Sequence, residues 1–378
     1  MNKMKIGLIV NPIAGMGGSV GLKGTDGKAI LEKAIQLGAE PKSDIRCKQF
    51  LDNLFTLSDG IEFITCPGRM GENILKNSNF KFTIIPMNHE NKNETTREDT
   101  VHATRIMKDK KIDLLIFVGG DGTARDIYEA IDTKVPSLGI PAGVKIHSSV
   151  FAINPQAAAA IVHQFLSGSA SLKESEVMDI DEDAFRNNLV VSKLYGYLLT
   201  PYIPQFVQSS KMASPDTESE HENQKEIAEF FVELMEENTY YFLGPGTTVR
   251  AIAEMLSLEK TLLGVDLIYN KKLVKKDLNE KEILEILHKK KDSPFKLVVT
   301  PIGAQGFVFG RGNLQISDRV LEIIRPENII VVCSRYKYST LPQGKLRIDS
   351  RNPETDAQFR GFYRVIVGYG TYKIAEMI

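Results

Sequence analysis

Residues 113–130 read DLLIFVGGDGTARDIYEA. An apolar run too short for a buried helix flows into two glycines, an aspartate, a third glycine and a threonine, and then into a helical pattern. A strand, a glycine turn and a helix in that order commit the neighbouring chain to parallel strands with crossover helices. The same form returns at residues 239–256, TYYFLGPGTTVRAIAEML. Between and around these two segments, strand-like runs alternate with helical ones. KIGLIV (5–10), GIEFITCPG (60–68), KFTIIPM (81–87) and SLGIPAG (137–143) read as strands or strand ends. Residues 29–38, 96–111, about 124–131 and 154–166 read as helices. Asn154 and Pro155 supply an N-cap and a first helical proline.

The pattern changes near residue 170. Two β-flavoured stretches follow, then a serine-rich acidic segment at 209–224, expected to be a loop or lid. A helix at about 225–236 leads into the second strand, turn and helix, and further alternation runs to a strand at 358–370. The expected fold class is α/β. A Rossmann-like parallel-sheet domain, residues 1–170, precedes a mixed, β-rich α/β domain, residues 171–378, whose last strands are free to return to the first domain.

With 47 Lys and Arg against 48 Asp and Glu, the net charge of −1 offers no basic field for nucleic acid. No apolar run approaches the roughly 20 residues of a membrane span, and the N-terminus is too polar for a signal peptide. Three scattered cysteines, Cys47, Cys66 and Cys333, fit a reducing compartment. The reading is a cytoplasmic protein without a membrane span, with a homo-oligomer among the open possibilities.

Chemistry concentrates in the glycine turns. Residues 11–27, NPIAGMGGSVGLKGTDG, match neither standard phosphate loop. Leu22 and Ala29 stand where a P-loop around Gly27-Lys28 needs glycine and a hydroxyl, and Val20 stands where a dinucleotide fingerprint needs glycine. The segment still lets backbone approach a ligand closely, or is a plain loop. In GGDGT, the amides of Gly119, Gly120 and Gly122 can meet an anion at a helix N-terminus. Asp121 beside such an anion would be repelled unless it takes a proton or organises a metal; a purely structural turn is the competing reading. Thr123 would cap the helix or touch a phosphate. Lys145 follows the PAG turn and can neutralise phosphates, whereas His147 reads as a satisfied polar residue. Gly246, Thr247 and Thr248 form a second anion turn with Arg250 nearby. Arg311 between two glycines suits a phosphate or a surface hairpin. Asp266 reads as a metal or ribose ligand or as a strand-end cap.

GGDGT after an apolar strand, with NPIAG upstream, resembles the superfamily of NAD kinases, diacylglycerol and sphingosine kinases and 6-phosphofructokinases. PAGVKIHSSVFA (141–152), LGPGTTVRAIAEML (243–256) and GAQGFVFGRGNLQIS (303–317) are similar to the ATP-NAD kinase family, in the branch that includes acetoin catabolism protein X-like proteins. The resemblance implies an ATP-dependent kinase working with Mg²⁺ at a cleft between two domains, its acceptor the adenosine-ribose 2′-hydroxyl of NAD. It implies Asp121 as base or metal-organising residue, and the enzymatic reading requires that side chain in open, solvent-accessible space where two lobes meet. Phosphates would be held by Gly119, Gly120, Gly122 and Thr123, and the donor nucleotide by Asn11, Gly15, Gly17, Gly18 and Lys145. Gly246, Thr247, Thr248 and Arg311 would serve the acceptor. Two departures bear on that acceptor. The Asn-Glu pair of NAD kinases occurs only at Asn93-Glu94 and Asn279-Glu280, neither in its usual place, and TPIGAQG replaces the usual acceptor loop. A kinase of another hydroxyl compound (metabolite, nucleoside or lipid) and a non-catalytic nucleotide-binding protein are the alternatives.

Overall fold

The computed structural model describes residues 3–18, 20–22, 28–87, 95–143, 146–180, 192–209, 215 and 217–378. The chain divides into two compact units. The first comprises Met1–Met16, Thr25–Leu31 and Glu40–Ser210; the second comprises Gly17–Gly24, Glu32–Ala39 and Lys211–Ile378.

The first unit is built on a five-stranded parallel sheet. Its strands are β1 (Met4–Val10), β2 (Ile61–Thr65), β3 (Lys81–Ile84), β4 (Leu114–Gly119) and β5 (Ser137–Pro141), in the order β3-β2-β1-β4-β5. Strand β4 shows why both faces are covered. Leu114, Ile116 and Val118 join one core with the helices Ser43–Asn53 and Pro155–Leu166, while Leu115 and Phe117 join another with Arg97–Asp109 and Asp121–Ile131. Period-2 alternation with apolar residues on both sides is what a doubly covered parallel strand requires. An antiparallel hairpin, β6 (Ser171–Ile180) with β7 (Ser192–Tyr202), belongs to the same unit, which therefore continues past residue 170.

The second unit carries a seven-stranded mixed sheet. Strands β8 (Tyr240–Leu243), β11 (Phe295–Val299), β13 (Ile329–Val332) and β15 (Gly361–Gly368) run parallel. The outer strands β9 (Asp266–Tyr269), β10 (Lys272–Lys275) and β16 (Thr371–Met377) pair antiparallel with their neighbours. A short parallel pair, β12 (Phe307–Phe309) and β14 (Arg347–Ile348), adjoins the end of β16, where the Leu346 amide donates to Glu376 O and the Ile348 amide to Ile378 O. The last strands, β15 and β16, thus complete the sheet of their own unit.

Two local expectations need correction. The segment 209–224 is not all loop, because a helix spans Glu218–Leu234. Thr217 caps it by accepting from the Glu220 amide, and Glu218 and Glu220 sit in the first turn, where the helix dipole favours acids. The GGDGT turn also ends sooner than the glycines suggest. Gly120 is an extended N-cap, and Asp121, Gly122 and Thr123 are already the first turn of the helix Asp121–Ile131.

Strand β5 ties the segment at 150–152 to the sheet. The Gly139 amide donates to Val150 O, and the Ala152 amide donates to Gly139 O, each at 2.9 Å. A Cβ at Gly139 would strike the rings of Phe151 and Phe117, which meet edge to face at 5.3 Å between centroids. Gly139→Ala is expected to destabilise by about 1–3 kcal/mol through overpacking, read as a lower urea midpoint with an unchanged m-value.

Candidate active site

In the order β3-β2-β1-β4-β5 the chain departs to one side from β1 and to the other from β4. Their carboxyl ends form the switch point where open α/β sheets bind ligands. Both motifs of the first unit arrive there. The Asn11 amide N–H donates to Val118 O at 2.9 Å, and its side-chain Nδ2 donates to Thr123 Oγ1 at 3.0 Å. Asn11 Oδ1 turns back to accept from the Ile13 amide, shaping the start of the glycine loop. The glycines at the end of β4 have steric reasons. A side chain at Gly119 would strike Thr123, and a Cβ on Gly143 would stand 2.9 Å from Gly120 Cα. The two turns touch backbone to backbone, and the amides of Ala142 and Gly143 both donate to Gly119 O.

Asp121 is 5% exposed, so it does not stand in open solvent. The segment 146–148 covers it. Oδ2 accepts from the His147 amide at 2.7 Å, and Oδ1 accepts from the Ser148 amide at 3.0 Å. Ser148 Oγ lies 2.6 Å from Oδ1 and 2.8 Å from Met178 O, and accepts from the Met178 amide at 2.9 Å. A hydroxyl has one hydrogen. If Asp121 is ionised, that hydrogen must choose between the carboxylate and Met178 O. If Asp121 is protonated, the carboxyl donates to Ser148, which donates to Met178 O, and every polar atom is served. Burial raises the Asp121 pKa from 3.8 to about 7; the bonds from Ser148 and His147 oppose this without cancelling it, and the charge of Asp179 adds to it. His147 therefore meets Asp121 through its backbone.

A protein-held Mg²⁺ does not fit Asp121 as it stands. Magnesium needs carboxylate oxygens open to phosphates and waters, whereas Asp121 is covered by His147 and Ser148. Among the described residues no group of three or more His, Cys, Asp or Glu side chains is placed to hold a metal.

The remaining expected residues are distributed as follows. Gly15 adopts a left-handed φ of 77°, and Gly17 and Gly18 lie in a 3-10 turn grouped with the second unit. Lys145 and Asn93-Glu94 fall outside the described residues. Gly246 is the N-cap of the helix Thr247–Met255 and packs against Thr300, beyond the end of β11. Thr248 Oγ1 accepts from Lys337 Nζ at 3.2 Å. Sequence reading missed this buried lysine, whose one signal is its place in the short helix capped by Ser334 just beyond β13. Arg250 pairs with Glu254 along its own helix. Arg311 is buried and bonds Asp349 Oδ2 at 3.1 Å, so it is no surface hairpin residue. Asp266 is the strand-end brace: it accepts from the amides of Thr261 and Asp277 and from the Thr261 hydroxyl. Asn279 caps the helix Glu280–Lys289 in a capping box with Glu282.

The model of the ATP-NAD kinase N-terminal domain matches residues 6–170, and that of the ATP-NAD kinase C-terminal domain matches residues 236–377. No curated protein matches the chain significantly.

The raised pKa of Asp121 links folding to pH. Between pH 4 and 7 the folded state holds a proton on Asp121 that the unfolded chain releases. This group's contribution to stability is therefore full below about pH 4 and is lost as pH rises through 7. Carboxyl ¹³C titration of aspartate-labelled protein is expected to show a midpoint near 7 that disappears in Asp121→Asn, while one near 6 from Asp126, also raised by burial, remains. If every aspartate titrates near 4, burial does not control this group.

With the two matches covering most of its length, and GGDGT seated at the switch point of a parallel sheet, the chain belongs to the ATP-NAD kinase family, a group of phosphotransferases.

Proposed function

We propose that the protein transfers the γ-phosphoryl group of ATP to the 2′-hydroxyl of the adenosine ribose of NAD, giving NADP. The observation that carries the reading is the junction of Asn11, Gly119, Gly120, Asp121 and Thr123 at one switch point, where the first three amides of the helix Asp121–Ile131 have no acceptor within the helix. Phosphates are read onto those amides and onto Thr123, with the loop of Gly15, Gly17, Gly18 and Lys145 on the donor side. The acceptor oxygen attacks the γ-phosphorus, the bond to the β-phosphate oxygen breaks, ADP leaves, and the acceptor proton passes to Asp121. A base near pKa 7 suits that step at neutral pH. On this reading the amides of His147 and Ser148 release the carboxylate as substrate binds. Mg²⁺ enters with the triphosphate rather than on Asp121.

A second acceptor has a specific observation in its favour. Asn279-Glu280 is consumed as a helix cap and in a pair between Glu280 and Arg319, so it does not supply the NAD-binding pair of the family. The alternative keeps the kinase and replaces NAD by another hydroxyl compound.

One assay separates these readings. The protein is incubated with ATP, Mg²⁺ and NAD, and NADP is measured by a coupled dehydrogenase. NADP should form, and Asp121→Asn should slow turnover by about 10²–10⁴. Unchanged turnover in the variant removes Asp121 from the chemistry. ATP consumed with another hydroxyl compound, without NADP, replaces the acceptor.

A further inference from the structure

The second unit treats its buried cations by a consistent rule, with one exception among the described residues. Lys260 stands 3.9 Å from Asp266, both side chains 1% exposed. Arg311 pairs with Asp349. Lys337 donates to Thr248. Arg347, the first residue of β14, is 4% exposed, and its Nε and Nη1 meet no hydrogen-bond acceptor. Its backbone amide donates to Gly306 O at 2.8 Å. Burial lowers its pKa, and no carboxylate counters that effect. A lysine so placed can shed its proton, but an arginine cannot at any ordinary pH. The fold therefore holds the Nε and Nη1 side of a positive charge out of water with no acceptor among the described residues, a costly arrangement unless an anion completes it.

Its neighbours along the two strands combine apolar core with buried polar side chains. The register of β12 with β14 sets Phe307 beside Arg347, with side chains on one face. The Arg311 guanidinium carbon lies 4.7 Å from the centre of the same ring. Arg311 thus lies against the ring of the residue that pairs with Arg347, and its guanidinium engages the carboxylate of Asp349. Asn313, Gln315 and Ser350 add buried polar side chains on the same two segments. The open Nε and Nη1 carry three N–H groups. An oxyanion answers such donors, and phosphate, with several peripheral oxygens and more than one negative charge, is the one that arginine's planar guanidinium suits best.

We propose that Arg347, paired in register with Phe307, forms a binding site for a phosphoryl oxyanion in the second unit, either free phosphate or the phosphate of an ester. The site does not depend on the kinase reading, and its test measures binding rather than turnover.

The full chain is titrated calorimetrically with inorganic phosphate, with AMP and, separately, with citrate, and its melting temperature is followed in each. Phosphate or AMP is expected to bind and to raise the melting temperature with the logarithm of concentration; the tighter of the two names the source. Arg347→Met should weaken that binding at least tenfold while melting higher than the parent without ligand, because the unanswered charge is gone. Arg347→Lys, which keeps the charge and stays folded more safely, should also bind at least tenfold more weakly. Arg319→Gln, on the exposed surface, should bind as the parent does. The proposal is overturned if the Arg347 variants bind phosphate and AMP as the parent does, if only citrate binds, or if Arg347→Met melts lower and keeps its phosphate response.

Discussion

The switch point of the first unit depends on a carboxylate held out of water. Asp121 receives two backbone N–H groups and a serine hydroxyl, a set that in a solvated loop would draw its pKa down. Burial outweighs them and leaves the group near neutrality. A residue chosen only to cap the segment 146–148 would not need to be desolvated to this degree. Groups whose charge is balanced this closely gather where protons are handled, and the fold bears the cost locally.

The neighbouring glycines are explained differently. Gly119 and Gly120 are required by Thr123 and by the backbone of Gly143, so they would be glycines in a turn that binds nothing. The functional content of GGDGT rests on the aspartate and on the amides of the helix it begins. The clasp between Asn11 and Thr123 ties the end of β1 to the GGDGT turn.

Much of this architecture was legible in the sequence because apolar runs and glycine stops mark parallel strands strongly. The strand at 5–10, the helix begun by Asn154 and Pro155, and the family motifs all rest on local patterns. What escaped was long-range. The helix Ser43–Asn53 buries Arg46 on its core side, and Arg46 Nε donates to Pro141 O across 95 residues, so its apolar face is broken in sequence. The burial of Asp121 is invisible locally because its cover arrives from residues 147 and 148. The acidic run at 218–224 reads as a loop by composition, yet Thr217 and the helix dipole turn the same acids into a stable helix start.

The two units also show how a buried charge can be interpreted. Asp266 is as buried as any group in the protein, but three donors and a lysine account for it, and it braces the loop that leads into β9. Arg311 has its carboxylate. These are closed accounts, and a closed account needs no ligand. Asp121 is nearly closed, with one hydrogen too few when it is ionised, and a proton can correct that. Arg347 differs from both, because neither a proton nor any described side chain corrects it. Burial alone therefore says little about function; the sign and size of what remains after every bond is counted say more, and that remainder is negative at the switch point of the first unit and positive at β14 of the second.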